Sequence, residues 1–311
     1  MSNVMQEASG ENWSAYLGDS AEVMNGIKSE SIHMSVFSPP FSSLYTYSNS
    51  ERDLGNCRTD AEFYAHFNFI IAELYRVLMP GRHVVFHCMN IPAMKERDGY
   101  IGLKDFRGDL IRAFQKVGFI FHSETVIWKD PLIEATRTKA LGLMHKQLCK
   151  DSCMCRSGIP DFMVAMRKPG INPEPVAHQN GLEWFVGEDP PLHGNLSHER
   201  WRRYASPVWM DIRQTRTLNA KAARQKEDER HICPLPLDDI ERSLQLWSNP
   251  KDAVFSPFMG IGSEGYVSLE LGRRFIGIEL KQSYFDQAVR NLRDMETMGP
   301  AQLSLLSEAT A

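Results

Sequence analysis

The chain has 311 residues, 42% of them hydrophobic, enough to bury the core of one large domain or two small ones. No stretch is apolar for the length of a membrane span, and the polar, slightly acidic start Met1–Ser14 lacks the basic head and apolar core of a secretory signal, so no membrane partner and a cytoplasmic location are expected. The net charge of −4 argues against a uniformly basic polyanion binder, yet eight basic residues stand against four acidic between Lys129 and Lys168, and nine against five between Glu199 and Arg230.

In chain order, Ile32–Phe37 (IHMSVF) reads as a short buried strand, stopped by Pro39 and Pro40. Residues 42–59, rich in Ser, Tyr, Asn and Gly, read as a loop. Phe63, Phe67, Ile70, Ile71, Leu74 and Leu78 share a helical face, which predicts a helix over 60–79 with Asp60 as N-cap and Pro80-Gly81 as its stop. A strand at 83–88 (HVVFHC) follows. Leu103, Phe106, Leu110 and Phe114 predict a helix over 103–117, and 119–128 reads as a strand or strand pair. From about 129 to 230 periodicity fades: 161–170 looks like one strand ending in a turn, and a basic helix is expected near 218–229. Regularity returns with a helix at 236–247, a strand at 252–256, a helix from about 263 to 271, a strand at 274–280 and a helix at 281–294. The tail after Gly299 is expected to fray. The six cysteines read as free thiols. Cys149, Cys153 and Cys155 cluster near His145 but lack the paired spacing of a zinc site, so no metal is expected.

Strands alternating with helices predict an α/β fold, doubly wound around a mainly parallel sheet. Ligands of such sheets sit beyond the C-terminal ends of the strands, and two ends stand out here, at Ser38 and Ser256. After Ser256 comes Phe258-Met259-Gly260-Ile261-Gly262, whose Gly260 and Gly262 let backbone approach a ligand. Glu279 ends the next strand, where a carboxylate accepts from both hydroxyls of a ribose. Strand, glycine turn, helix, strand and acid together predict a nucleoside cofactor. Gly260, Gly262 and Gly265 fit a dinucleotide pattern loosely, but Glu264 at the helix start would repel a pyrophosphate. S-adenosylmethionine, without phosphate and with a positive sulfonium, suits the residues better. An NAD-dependent oxidoreductase is the competing reading.

Ser38-Pro39-Pro40-Phe41, taken with the Phe258–Gly262 turn, resembles the amino-methylating DNA methyltransferases, which modify N4 of cytosine or N6 of adenine and carry a [Ser/Asp/Asn]-Pro-Pro-[Tyr/Phe] motif. The order, with SPPF before the cofactor turn and a variable stretch between, is that of the β-arranged subgroup. YLGDSAEVM, ELYRVLMPGRHVVFHC, VIWKDP, PDFMVAMRKPG and HICPLPLDDIERSLQLWSNPKD resemble further segments, so the likeness covers most of 15–170 and 230–292. Protein-glutamine methyltransferases carry their Asn-Pro-Pro-Tyr after the glycine turn, and motif order speaks against them.

The resemblance implies a Rossmann-like, S-adenosylmethionine-dependent methyltransferase fold. It implies a catalytic half at 15–130, a target-recognition region at 131–230, a cofactor-binding half at 231–295 and a tail at 296–311. It assigns catalysis to Ser38, Pro39, Pro40 and Phe41. The cofactor falls to Asp19, His231, Pro234, Phe258, Gly260, Gly262, Ser263 and Glu279, and double-stranded DNA to Arg137, Lys139, Lys146, Arg156, Arg200 and Arg203. Arg213 and Arg216, among aromatic residues, extend that second basic surface. Chemically, the exocyclic amine of a base is a poor nucleophile, and acceptors aimed at its N–H groups favour its electron-rich form. Ser38 Oγ and the Pro39 carbonyl are such acceptors, prolines hold the backbone rigid, and Phe41 offers a stacking face for a flipped base. Serine in the first position is commoner among N4-cytosine enzymes, which tilts the reading toward cytosine and leaves adenine open. A homodimer is an inherited expectation. Ser256 and Glu264 depart from the family's usual Asp and Thr, so a DNA-binding homologue without turnover is the alternative.

Overall fold

The computed structural model describes residues 4–41, 53–93, 95–138, 143, 145–177, 198–219 and 234–298. Its framework is a nine-stranded sheet in the order β1-β2-β11-β10-β3-β4-β8-β7-β9. The strands are β1 (Gln6–Ser9), β2 (Trp13–Leu17), β3 (Ile32–Phe37), β4 (Leu78–Met89), β7 (Ile120–Ile127), β8 (Asp161–Arg167), β9 (Val208–Trp209), β10 (Ala253–Ser256) and β11 (Arg274–Glu279). β5 (Ile91–Ala93) and β6 (Gly102–Lys104) form a separate antiparallel pair. Five consecutive strands of the large sheet, β2, β11, β10, β3 and β4, run parallel; β1 and β8 run against their neighbours. The expectation of an α/β fold doubly wound around a mainly parallel sheet holds.

Alternation along each strand divides the core into two layers. On one face, Phe37, Val84, Phe86, Phe162 and Val164 meet α2 (Asp60–Val77) and α4 (Phe106–Val117) through Phe63, Phe67, Leu74, Leu110 and Phe114. On the other, Met34, Val36, Val85, Met163 and Val254 meet α7 (Leu237–Trp247), α8 (Ser263–Glu270) and α9 (Gln282–Thr297) through Ile240, Leu244, Val267, Phe285 and Leu292. Burial on both faces is why these strands read as continuous apolar runs.

Several local expectations are corrected. α2 is capped by Thr59, whose hydroxyl accepts from Glu62 N, and Asp60 is its first residue. Leu103 lies in β6, because Asp105 accepts from Gly108 N and starts α4 only at Phe106. Residues 120–127 form one strand. β8 and β9 lie inside the expected 131–230 recognition region, yet both are strands of the main sheet, so that segment is not wholly an insertion. α3 (Lys95–Asp98), α5 (Pro131–Thr138) and α6 (His198–Tyr204) were not anticipated, nor were β1 and β2. The expected helix near 218–229 and the tail fall largely or wholly outside the described residues.

Candidate active site

β10 leads outward to β11 and β3 leads the other way to β4, so the chain reverses its winding direction between β10 and β3. Ligands of open α/β sheets bind at such a switch point. The two strands pair in parallel with Val254 opposite Met34 and Phe255 opposite Ser35. Ser38-Pro39-Pro40-Phe41 and Ser256-Pro257-Phe258, which lie 218 residues apart at their serines, therefore leave the sheet side by side.

Aromatic packing ties the two motifs together. The Phe258 ring lies 5.7 Å from Phe37 and stacks at 6.2 Å on Phe67. Phe67 stacks at 5.4 Å on Phe63, which touches Phe106 at 5.9 Å, and Phe106 lies 5.9 Å from Phe41. Phe41 and His87 also meet with their rings at 87° and centroids 6.5 Å apart. Pro39 is buried, while Ser38, Pro40 and Phe41 are half-buried at the rim.

The glycine turn has the conformation its sequence predicts. Gly260 and Gly262 have φ of 52° and 87°, in the left-handed region that a side chain resists. A Cβ on Gly260 would meet nothing within 4 Å among the described residues, so the turn borders open space on that side. One Glu279 carboxylate oxygen accepts from Gly260 N at 2.9 Å and the other from Lys281 N at 2.8 Å. Gly18 N donates to Glu279 O at 2.9 Å, which brings in the end of β2. Next to it, Asp19 accepts from Ala21 N at 2.9 Å and caps α1 (Ser20–Val23), and Ser20 Oγ donates to Pro257 O. Asp19, Gly260 and Glu279 thus share one hydrogen-bonded rim. Ser263 is buried at the start of α8, and Pro234 is half-buried ahead of α7. His231 lies outside the described residues.

Burial sets the electrostatics of this rim. Desolvation pushes the Glu279 carboxyl up to about 7 against the pull of its backbone donors. It pushes Glu264, 4% exposed in the first turn of α8, up to about 8, with Glu279 adding to the rise. A mostly neutral Glu264 carries little charge at neutral pH, so the repulsion of a pyrophosphate expected from it is largely cancelled by burial. Ser256 Oγ, where the family usually has aspartate, is buried without a hydrogen-bond partner among the described residues. Open space beside Gly260, an orphaned hydroxyl and two acids whose ionised forms a cation would favour fit a cationic nucleoside ligand.

The expected DNA contacts divide. Lys146 is exposed, and Arg156 is half-buried with Nη1 donating to Ser157 O at 3.1 Å. Arg203 is exposed, 3.7 Å from Asp211. Arg137 lies in α5, and Lys139 falls outside the described residues. Arg200 is only 3% exposed, which corrects its assignment: a buried guanidinium cannot reach a phosphate. Arg213 and Arg216 are likewise engaged, bonded to Asp238 at 2.9 and 2.7 Å, with Arg216 also 2.7 Å from Glu241.

Sequence reasoning missed the polar group beside Ser38. Ser38 Oγ lies 3.4 Å from His87 Nδ1 and from His87 O. His87 Nε2 lies 3.1 Å from Asp161 Oδ2, and Lys129 Nζ lies 2.5 Å from the same oxygen. A histidine inside the apolar run HVVFHC was the available signal. Elsewhere, His33, Glu174 and Asp252 gather at the opposite ends of β3 and β10. His33 Nδ1 accepts from Ala253 N at 3.1 Å, so Nε2 carries the proton toward Glu174 and is not a metal ligand in that state.

A family profile described as DNA methylase matches residues 32–290. The type II methyltransferase M1.MboII of Moraxella bovis is 35% identical over 118 residues, which is 38% of this chain and 40% of that relative. M.MjaI of Methanocaldococcus jannaschii is 23% identical over 296 residues, 88% of each chain. Among solved structures, TTHA0409 of Thermus thermophilus complexed with S-adenosyl-L-methionine has a TM-score of 0.62 at 21% identity, covering 91% of this chain and 95% of that one. The PvuII DNA methyltransferase (cytosine-N4-specific) has a TM-score of 0.62 at 18% identity, covering 97% and 94%. At these identities the structural likeness concerns the fold.

Proposed function

The chain belongs to the DNA methylase family that its residues 32–290 match, and from that membership we propose that it methylates an exocyclic amino group of a base in double-stranded DNA, with S-adenosylmethionine as donor. The observation that carries the reading is the juxtaposition at the switch point, where SPPF and the Phe258–Gly262 turn leave adjacent parallel strands.

Bound S-adenosylmethionine supplies an electrophilic methyl carbon on a sulfonium. Asp19, Phe258, Gly260, Gly262, Ser263 and Glu279 would hold it, with His231 and Pro234 from the segment before α7. Gly260 keeps the space beside the turn clear. Ser38 Oγ and the Pro39 carbonyl accept from the target N–H groups, and Phe41 stacks on the base once it leaves the duplex, where the amine is otherwise hidden. Lys146, Arg156, Arg203, Arg137 and Lys139 neutralise phosphates along the 131–230 segment, the target-recognition region apart from its two sheet strands. Serine at position 38 favours N4 of cytosine over N6 of adenine, and the enzyme works as a homodimer. Residues 15–130 and 231–295 act as catalytic and cofactor-binding halves of one domain, in the cytoplasm.

A DNA-binding homologue without turnover is the second reading, favoured by Glu264 buried where the family usually has threonine. Nucleoside mass spectrometry of DNA from cells expressing the chain separates the two. N4-methylcytosine or N6-methyladenine is expected above the vector control, and Ser38→Ala is expected to lower it by about a hundredfold or more. Unmodified DNA from wild-type cells would overturn the catalytic reading.

A further inference from the structure

Asp239, in the first turn of α7, is 1% exposed, and neither carboxylate oxygen has a hydrogen-bond partner among the described residues. It interacts electrostatically with His87 and Asp161, which stand on the α7 side of the sheet. Strand geometry explains the placement. His87 lies opposite Met163 in the β4–β8 ladder, and Asp161 is two residues from Met163, so the two side chains are diagonal neighbours on one face. Val85 and Met163 of that face pack in the layer that holds Ile240 of α7. Phe37 is opposite Phe86, so Ser38 leaves β3 level with His87. The result is a continuous polar path, Ser38–His87–Asp161–Lys129, along the rim where β3, β4 and β7 end and β8 begins, with Asp161 its buried member.

This arrangement has no structural necessity: a buried Asp161 between half-buried His87 and Lys129, beside a buried carboxylate without a partner among the described residues, is costlier than apolar packing. Resting on the methyltransferase reading, we propose that His87, held by Asp161, is a positioning residue that receives the Ser38 hydroxyl proton and so completes proton removal from the methylated amine. His87 Nε2 lies 3.1 Å from Asp161 Oδ2 outside hydrogen-bond geometry, and Ser38 Oγ lies 3.4 Å from both Nδ1 and the His87 carbonyl; the relay takes the order in which the Nε2–H turns onto Asp161 and Nδ1 accepts from Ser38 Oγ–H, which leaves the oxygen lone pairs facing the substrate N–H. As the amine lone pair bonds to the methyl carbon, the carbon–sulfur bond breaks and its electron pair stays on sulfur. The nitrogen becomes cationic and passes a proton to Ser38 Oγ, while the hydroxyl proton moves to His87 Nδ1. The imidazolium is stabilised by the Asp161 carboxylate and later returns its proton through Ser38 to solvent. Burial pushes Asp161 up, but His87 and Lys129 outweigh it and hold its carboxyl below the ordinary value, so it is ionised when needed. The 3.4 Å spacing of Ser38 and His87 is that of a contact that tightens once substrate is bound.

The groups facing His87 are Ser38, Asp161 with Lys129 behind it, and Asp239, whose neighbours include Arg242. The test pairs two readouts. Nitrogen-15 NMR of histidine-labelled protein, with His87 assigned by loss of its signal in His87→Gln, is expected to show the Nε2–H tautomer at neutral pH. An Nδ1–H tautomer overturns the relay whether or not the protein is active. In methyl-transfer kinetics, His87→Gln is expected to lower kcat by about a hundredfold with KM for DNA and donor within about threefold, and to remove the ascending limb of kcat against pH. An active wild type with an unchanged His87→Gln profile sinks the relay alone. An inactive wild type overturns the methyltransferase reading and with it the relay's catalytic use.

Discussion

A single buried side chain, Glu264, shows how far a residue's chemistry depends on its surroundings. In sequence it is an acid at a helix start, where the positive end of the helix favours negative charge. In the fold it is buried, and desolvation pushes its carboxyl up to about 8. The native state therefore holds a proton that the unfolded chain has lost above about pH 4.5, and stability falls as pH rises between about 4.5 and 8. Glu264→Gln removes that dependence. Urea unfolding is expected to give a variant more stable than wild type at pH 8, by about 2–4 kcal/mol, with the gap closing toward pH 5. A gap unchanged with pH would mean that Glu264 titrates normally.

At the level of an element, the turn from β10 into α8 sorts its glycines by different duties. Gly260 faces open space, whereas a Cβ on Gly265 would lie 2.6 Å from Leu292 and from Phe275. Gly260→Ala is expected to weaken S-adenosylmethionine binding tenfold or more in calorimetry while costing only about 1 kcal/mol of stability for its positive φ. Gly265→Ala is expected to reverse the pattern: about 1–3 kcal/mol lost in unfolding from overpacking α8 on β11 and α9. If both variants bound donor normally, the turn would not be the donor site. The elements legible from sequence were those with periodicity to spare: α2, α4, α7 and α9 bury stripes of apolar residues. β1 and β2 escaped because QEAS and WSAYL are short and half polar, and become strands only by pairing with each other and with β11.

Across the molecule, the second basic stretch serves as a clamp before it serves as a surface. Arg213 and Arg216 grip Asp238 and Glu241 on α7, and Arg242 returns the grip to Asp211 at 2.9 and 2.8 Å. Burial raises Asp238, but bonds from Arg213 and Arg216 outweigh it, and its carboxyl is held below the ordinary range. Its stabilising contribution is thus present above the unfolded value near pH 4 and is lost as pH falls through the folded one. Arg216→Met is expected to cost about 2–4 kcal/mol in unfolding and leave the salt dependence of DNA binding unchanged in filter or fluorescence titrations. Lys146→Gln, at an exposed site, is expected to do the opposite: stability within about 0.5 kcal/mol, and a salt slope shallower by about 1. Equal slopes for Lys146→Gln and wild type would remove Lys146 from the phosphate contacts.

The layered α/β class, the two motifs and their order, and the place where each central strand ends are written in the residues themselves, because they follow from local periodicity, proline and glycine. Which charges face outward is not written there. Arg200 and Lys146 look alike in basic stretches, yet one is buried and the other exposed. Nor does any local pattern bring Ser38 to His87, Asp161 and Lys129, residues spread over 124 positions of the chain. Those placements arise from strand pairing and helix packing, which join residues distant along the chain and set the dielectric around each charge, so they exist only once the fold has closed.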